Sequence, residues 1–490
     1  MERPGYFFSL SALNERAEDC LAHEHNRHLI EDRWYKTPCI HFGNWTTTKE
    51  THPQTLARLG NDPRDSDIYV EGLDVAYVNC AFVINPKTGV ILIEDRTDGK
   101  TRVYQNKDKT PRRDNSKPGH YIRNAVMPGL NLVLCIGEPR DPVRFGFRWN
   151  PNALQESLNF IQNRLHGIDD VIGYEGQTPA GPRTKVKHHM LERLGAGSFG
   201  EVRKTVDVHS GNFMAVKLIS SPTKRHDAQW RRQVKHTRDW EIKWLNNFHH
   251  KHIIQLLGAQ GYQTNTVEIF MPLMKGNLRN WMFRREYAAG EVAWTAECIL
   301  MHMLQALDYV AREGLIHRDV KPDNILYEYN EKGRLTFILS DFGLINSATL
   351  SRSQAGSIAF SAPEIFDGSR QHGPQADTWS LFVVLMWIYN ETGFRDKLET
   401  GIFLDQTDIR RDVLLSALYH TTTFNVRDMA ILDHNCRPNA SQMLEFFRVQ
   451  GGSFDVDHRG GTQFPRWMDW ALQDPSQYNM GTYIRGLMGW

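Results

Sequence analysis

Short apolar runs cut by turn residues fill residues 40–149. Ala81–Ile84, Val90–Ile93 and Leu130–Ile136 alternate with Gly60-Asn61-Asp62-Pro63, Asn85-Pro86-Lys87-Thr88-Gly89, Asp98-Gly99, Lys117-Pro118-Gly119 and Met127-Pro128-Gly129. Frequent short strands with this punctuation predict a β-sandwich or barrel. After Pro151 the period changes: Leu154, Leu158, Ile161 and Leu165 predict one amphipathic helix. Thr178-Pro179-Ala180-Gly181-Pro182 reads as a linker. Beyond Lys185 strand-like runs come first and long helical patterns follow, such as Ile299, Met303, Leu304, Leu307 and Val310. The N-terminal stretch before residue 40 is polar, and its His23, His25 and His28 read as a solvated helix or tail, since no cysteines or spaced carboxylates accompany them. From Gly451 onward, Trp467, Trp470 and Trp490 stand among scattered Gly and Pro and predict no element.

Composition narrows the class. The chain of 490 residues is long enough for two to four domains at roughly 150 residues each. With 58 Lys+Arg against 57 Asp+Glu the formal net charge is +1, so no whole-chain bias toward nucleic acid or an anionic membrane exists. At 40% hydrophobic and 11% aromatic residues, bulk disorder is excluded. The longest strongly apolar run, 379–389, is well short of the ~20 residues that cross a bilayer. The start of the chain makes a poor signal peptide, and the six scattered cysteines form no CxxC pair. These features predict reduced, buried thiols in an intracellular protein of cytoplasm or nucleus, with no membrane partner.

The chemistry lies in the second half. Gly195-Ala196-Gly197-Ser198-Phe199-Gly200, followed by Val202, is a glycine-rich loop between two strand-like runs. Glycines let backbone N–H groups close over phosphates. No helix follows directly, so a dinucleotide fold is not indicated. Ala215-Val216-Lys217 comes next, then Ile316-His317-Arg318-Asp319-Val320-Lys321-Pro322-Asp323-Asn324, then Asp341-Phe342-Gly343 and Ala362-Pro363-Glu364. In this order the motifs resemble a eukaryotic protein kinase domain over residues 186–449, of α+β bilobal fold.

The resemblance implies roles for single residues. Lys217 anchors the ATP phosphates, with Glu241 as its helix partner. Asp319 is the base that orients the acceptor hydroxyl, and Lys321 stabilises the transferred phosphate. Asn324 and Asp341 hold Mg²⁺. Ala215 lies over adenine, and Met271 and Met274 mark the hinge that hydrogen-bonds it. Lysine two positions after Asp319 is similar to Ser/Thr rather than tyrosine kinases. Arg318 implies pairing with a phosphorylated activation loop, which offers Ser347, Thr349, Ser351, Ser353, Ser357 and Ser361, with Ser351 or Ser353 favoured. Glu364 with Arg437, and Asp377, are expected to be structural. The basic run Lys224, Arg225, Arg231, Arg232, Lys235 and Arg238 reads as the solvated face of a helix rather than a nucleic-acid patch.

Residues 40–150 resemble a forkhead-associated (FHA) domain. Leu59-Gly60-Asn61, Ser66-Asp67-Ile68, Val75–Cys80 and Asp95–Thr101 fall where that family carries its phosphothreonine-gripping motifs. At the gripping positions this chain has Asn61, Ala76, Tyr77 and Gly99, which removes the cationic and amide donors that would hold a phosphate. Arg64 and Lys100 are the candidate substitutes. The module therefore reads as degenerate, for docking or intramolecular packing.

The expected organisation is multidomain: a polar segment 1–39, an all-β FHA-like sandwich 40–150, a helix and linker 151–185, the kinase domain 186–449 and a tail 450–490. The expected function is an ATP- and Mg²⁺-dependent Ser/Thr protein kinase acting on protein substrates. An ATP-binding scaffold and a phosphopeptide-binding adaptor are the alternatives.

Overall fold

The computed structural model describes residues 5–30, 37–48, 52–97, 99–104, 122–130, 133–166, 185–197, 200–221, 228–284, 287–330, 332–345, 358–366, 372–402, 405–420 and 423–449. Their contacts define two compact units, within 1–195 plus 202–217 and within 196–201 plus 218–490. The predicted linker at 178–182 and the Trp-containing tail lie outside the described residues.

The first unit contains β1 (Tyr6–Ala12), β2 (Cys39–Gly43), β3 (Thr55–Gly60), β4 (Ile68–Tyr69), β5 (Cys80–Ile84), β6 (Ile91–Asp95), β7 (Thr101–Tyr104), β8 (Ile122–Val126), β9 (Val133–Ile136) and β10 (Val143–Trp149). These form two five-stranded sheets, ordered β2-β1-β10-β9-β7 and β4-β3-β5-β6-β8. Pairing is antiparallel apart from the short β3–β4 ladder. The sheets share one core, in which Phe8 stacks on Phe42 at 4.4 Å and meets Phe82 edge-on at 5.0 Å. This is the all-β sandwich expected from the sequence.

Its boundary is not where the polar segment 1–39 placed it. Tyr6–Leu10 lies in β1, flanked by β2 and β10, and is buried along its length. Phe8 pairs with Trp149 at the far end of the module, a partner that no local window of sequence reveals. Helix α1 (Glu15–Ala22), capped by Asn14, buries Ala17, Cys20 and Leu21. His23 lies against Tyr69 at 4.2 Å, whereas His25 and His28 are exposed, as a solvated segment requires. No group of three metal-ligating side chains occurs among the described residues. Helix α2 (Ala153–Leu165) forms at the predicted spacing and buries Ala153, Ser157 and Ile161. Ser157 Oγ donates to Gly89 O at 2.6 Å and Ile161 enters the sandwich core, so α2 belongs to the sandwich rather than to a linker.

The strand-first character after Lys185 is seen as β11 (His188–Gly197), β12 (Gly200–Asp207) and β13 (Phe213–Ser220), neighbours in that order. In the second unit come α3 (Ala228–His236), a π-helical turn Thr237–Ile242, α4 (Lys243–Asn247), and the antiparallel pair β14 (Gly258–Gln260) and β15 (Thr266–Pro272). Then follow β16 (Gly276–Asn277), α5 (Leu278–Phe283) and α6 (Ala289–Arg312), and the hairpin β17 (Ile325–Tyr329) and β18 (Leu335–Leu339), to which β16 adds. Helices α7 (Gln375–Tyr389), α8 (Phe394–Glu399), α9 (Gln406–Tyr419) and α10 (Ala440–Val449) complete it.

Helix α7 is buried on every side, which explains its uniform hydrophobicity. No described helix is long and apolar enough to cross a membrane. Arg437 is fully buried and forks onto Glu364, Nη1 to Oε1 at 2.7 Å and Nη2 to Oε2 at 3.1 Å, as expected of a structural pair. The thiols of Cys20, Cys39, Cys80, Cys135 and Cys298 are buried and free, while Cys436 is exposed, contrary to the expectation that all are buried.

If β1 is a core strand, Phe8→Ala should destabilise the sandwich by about 3–5 kcal/mol, measured by urea unfolding with hydrogen exchange read at β2 and β10. A change within about 0.5 kcal/mol, typical of a surface position, would contradict this placement.

Candidate active site

The catalytic segment 316–324 connects α6 to β17 and is pinned by one carboxylate. Asp377, fully buried near the start of α7, accepts His317 N–H at Oδ2 and Arg318 N–H at Oδ1, both at 2.8 Å. Sequence reasoning expected this brace. It holds Arg318 at φ +67°, and Asp341 sits at φ +63°. Left-handed conformations at non-glycine residues cost of order 1–3 kcal/mol each and persist only where the surroundings enforce them.

His317 has one consistent tautomer. Its Nε2 faces the carbonyl of Ser340 at 3.0 Å and must donate, while Nδ1 accepts Asp319 N–H at 3.3 Å. Burial lowers the pKa of this imidazole and favours the neutral form that this pair of hydrogen bonds requires. Its ring meets Phe342 edge-on at 4.7 Å, and Phe342 packs on Phe248 at 5.3 Å. Ser340 donates through both N–H and Oγ to Asn324 O at 2.9 Å, which ties the approach to Asp341 to the catalytic segment.

Asp319 is at the centre. Its carboxylate takes Lys321 Nζ at 2.9 and 2.7 Å, and Asn324 Nδ2 at 2.8 Å. Burial pushes its carboxyl above the usual range, opposed by Lys321 and by the Asn324 hydrogen bond. A buried carboxylate with a raised pKa and fixed orientation is suited to accept a proton from a hydroxyl. Asn324 Nδ2 also donates to Asp319 O at 2.8 Å. Both donor bonds fix the flip of the amide, so its Oδ1 is the atom left to face a cation. Asn324 and Asp341 together offer hard oxygen donors but no all-protein cage. This fits Mg²⁺, which prefers few protein ligands plus phosphate oxygens.

The other expected residues are placed as follows. Gly200 has φ +133°, and a Cβ there would collide with Leu218 O, so glycine is required. Gly195 and Ala196 are exposed, and Val202 is half-buried. Gly197 ends β11; Ser198 and Phe199 lie outside the described residues, as do Ser347, Thr349, Ser351, Ser353 and Ser357. Ala215 and Lys217 are buried on β13. Glu241 is buried in the π-helical turn rather than in regular helix; such turns often occur at functional sites. Met271 and Met274 lie at and just beyond the end of β15 and pack against the core of the second unit. Arg231, Arg232 and Lys235 are exposed on α3 while Trp230 is buried. Lys224 and Arg225 lie outside the described residues.

One contributor was not legible. Arg279 Nε donates to Asp323 at 2.9 Å, and its Nη1 reaches Glu399, tying the 3₁₀ turn Pro322–Asn324 to α5 and α8. A lone arginine on a six-residue helix carries no sequence signal for this.

Residues 188–446, more than half of the chain, match the protein kinase domain family. The chain belongs to that family. A carbon catabolite-derepressing protein kinase of Candida tropicalis is 29% identical over 222 residues, covering 44% of this chain and 34% of its own. A probable serine/threonine-protein kinase of Enterocytozoon bieneusi, a KIN1 homolog, is 30% identical over 207 residues, 41% of this chain and 32% of its own. The chain thus spans about a third of the length of these curated relatives. The solved structure of Rad53 1-466 in complex with AMP-PNP aligns over 81% of this chain and 92% of its own, at 19% identity and a TM-score of 0.48.

The buried histidines set an acid limit. His252, whose Nδ1 donates to Phe337 O at 2.9 Å, is held down to about 2 by burial, and His317 is lowered for the same reason. His252 stays neutral in the fold over the range in which it titrates on unfolding. Below about pH 6.5 the unfolded chain binds more protons at this position, so stability falls as the pH drops, by up to ~1.4 kcal/mol per pH unit for His252. The raised Asp319 and Asp377 act oppositely, contributing most below about pH 3.9 and losing that as pH rises through their folded values. Comparing urea midpoints at pH 7, 6 and 5 isolates one group: His252→Gln should flatten the acid loss by about one proton's worth. Equal slopes in variant and wild type would refute a neutral His252.

Proposed function

We propose that the chain is an ATP-dependent serine/threonine protein kinase that transfers the γ-phosphoryl group to protein Ser and Thr hydroxyls. The observation that carries this reading is the Asp319 carboxylate, buried, raised in pKa and held between Lys321 and Asn324. ATP supplies the phosphoryl group when bound, and Mg²⁺ offsets the charge of its phosphates. Asp319 orients the acceptor hydroxyl and takes its proton at a carboxylate oxygen. Lys321 Nζ then stands beside that oxygen, where it stabilises the charge of the moving phosphoryl group. Asn324 Oδ1 and Asp341 hold the cation. Lys217 and the loop amides of 195–200 hold phosphates, with Glu241 the lysine's partner. Val202, Ala215, Met271 and Met274 take the adenine. Ser/Thr preference follows from Lys321, and the matched relatives are named as protein kinases, one of them serine/threonine-specific. The complete set of catalytic residue types speaks against a non-catalytic scaffold.

The sandwich fits a degenerate FHA-like docking module better than a phosphothreonine reader. Arg64, the nearest substitute cation, is already chelated by Asp62 at 2.8 and 3.1 Å. Lys100 Nζ donates to Asp74 O at 3.1 Å. Tyr77, at a gripping position, is exposed and supplies no cation. A phosphate would have to displace these partners before gaining a charge-assisted bond.

Two measurements check these readings. In the full chain with ATP–Mg²⁺ and a generic protein acceptor, phosphoserine and phosphothreonine should form. Asp319→Ala should lower the rate by about 10²–10⁴-fold, and Asp341→Asn should abolish transfer by weakening Mg²⁺; transfer that survives both would defeat the assignment. Titrating the full chain with phosphothreonine peptides should give no saturable binding. Micromolar binding, lost in Arg64→Ala, would instead make the sandwich a phosphopeptide reader.

A further inference from the structure

A sandwich sheet facing water alternates apolar and polar positions. β5 and β6 do not: every residue of both strands is buried. Phe82, Ile84, Ile91 and Ile93 point into the sandwich core. The alternate positions Ala81, Val83 and Leu92 belong to a second cluster with Val206 of β12, against which Val208 and Phe213 pack. The outer face of this sheet is therefore covered by the chain's own β12–β13 hairpin.

Polar bonds fix the turn of that hairpin. Asn85 Nδ2 donates to Ser210 O at 2.8 Å and to Asn212 Oδ1 at 3.0 Å, and Thr88 Oγ1 donates to Gly211 O at 2.9 Å. On the other side Ala125 N–H donates to Val208 O at 2.6 Å, and His209 Nδ1 to Arg123 O at 3.0 Å. Gly211 has φ +71°, and a Cβ there would lie 3.2 Å from both Val90 and Leu92, so turn conformation and close approach both demand glycine. Asn85 is itself buried, and its Oδ1 caps its own turn by accepting Lys87 and Thr88 N–H at 2.9 and 3.1 Å. The amide thus has two jobs: its oxygen shapes the β5–β6 turn, and its nitrogen grips the hairpin.

Strand β13 runs from this turn to Lys217, about 20 Å of extended chain at ~3.3 Å per residue. We propose that Asn85 and Thr88 are positioning residues for nucleotide binding: the sandwich clamps the β12–β13 turn and, through β13, sets the placement of Lys217. This rests on the reading that Lys217 holds the ATP phosphates. The sandwich then acts on the kinase reaction without touching substrate. By linkage, a nucleotide that orders β13 also tightens the clamp.

Asn85→Asp tests this in the full chain. It keeps the oxygen that caps Lys87 and Thr88 and replaces the gripping donor with an oxygen facing Ser210 O. Amide exchange over 205–217 should rise while β1, β2 and β10 stay protected. KM for ATP should rise about 5-fold or more, with kcat at saturating ATP within about twofold. Thr88→Val should shift both readouts in the same direction, and Thr88→Ser, which retains the hydroxyl, should restore them. Unchanged exchange and KM would overturn the proposal. So would exchange that rises equally in β1, β2 and β10, since that reports loss of the sandwich rather than of the clamp. Lys217→Met separates the two layers. If it leaves turnover intact, the lysine assignment fails and the nucleotide role of the clamp fails with it, whereas the exchange of 205–217 in Asn85→Asp still decides whether the clamp exists.

Discussion

The Asp377 carboxylate is the constraint on which the catalytic segment depends. Two backbone N–H groups converge on it, and they belong to the residues just before Asp319. Without that acceptor the left-handed Arg318 loses a bond that holds its backbone, and so does His317, whose ring donates to Ser340 and accepts from Asp319. A charge in a fully buried place is costly, and burial indeed raises the Asp377 pKa. The cost is offset because both oxygens are hydrogen-bonded. The backbone path of the segment is thus traceable to a group on another element, α7.

Around this brace the second unit layers its supports. Asn324 joins the candidate catalytic segment to Ser340, Arg279 joins it to α5 and α8, and Arg437 joins Glu364 to the start of α7. Arg437 further satisfies the carbonyls of Ile431 and Leu432, and Asn324 Nδ2 that of Asp319, in irregular chain where no helix or sheet supplies partners. Preorganisation of this kind suits phosphoryl transfer, in which the protein mainly positions groups and stabilises charge.

The first unit applies the same physics to a different end. Its sandwich core is closed by aromatic stacking around Phe8, and its second face is closed by the β12–β13 hairpin. Where the FHA resemblance implies a phosphate grip, the cations are occupied by Asp62 and by Asp74 O.

The candidate site was legible because a short window carries it: Asp319, Lys321 and Asn324 lie within six consecutive residues, and the structure brings their side chains together. The helical period of α2 and the turn-punctuated strands were legible for the same local reason. The place of β1 was not, because its partners lie at the opposite end of the module and pairing leaves no trace in a seven-residue strand. Nor was the grip of Asn85 on Ser210, since an Asn-Pro-Lys-Thr-Gly turn reads the same whether it faces water or a neighbour. The sequence by itself determined the chemical groups and the local elements, which depend on side-chain type and near-neighbour spacing. Only the tertiary structure decided which faces are covered and which polar atoms meet, because those contacts join residues that are distant along the chain and are selected by burial of the whole.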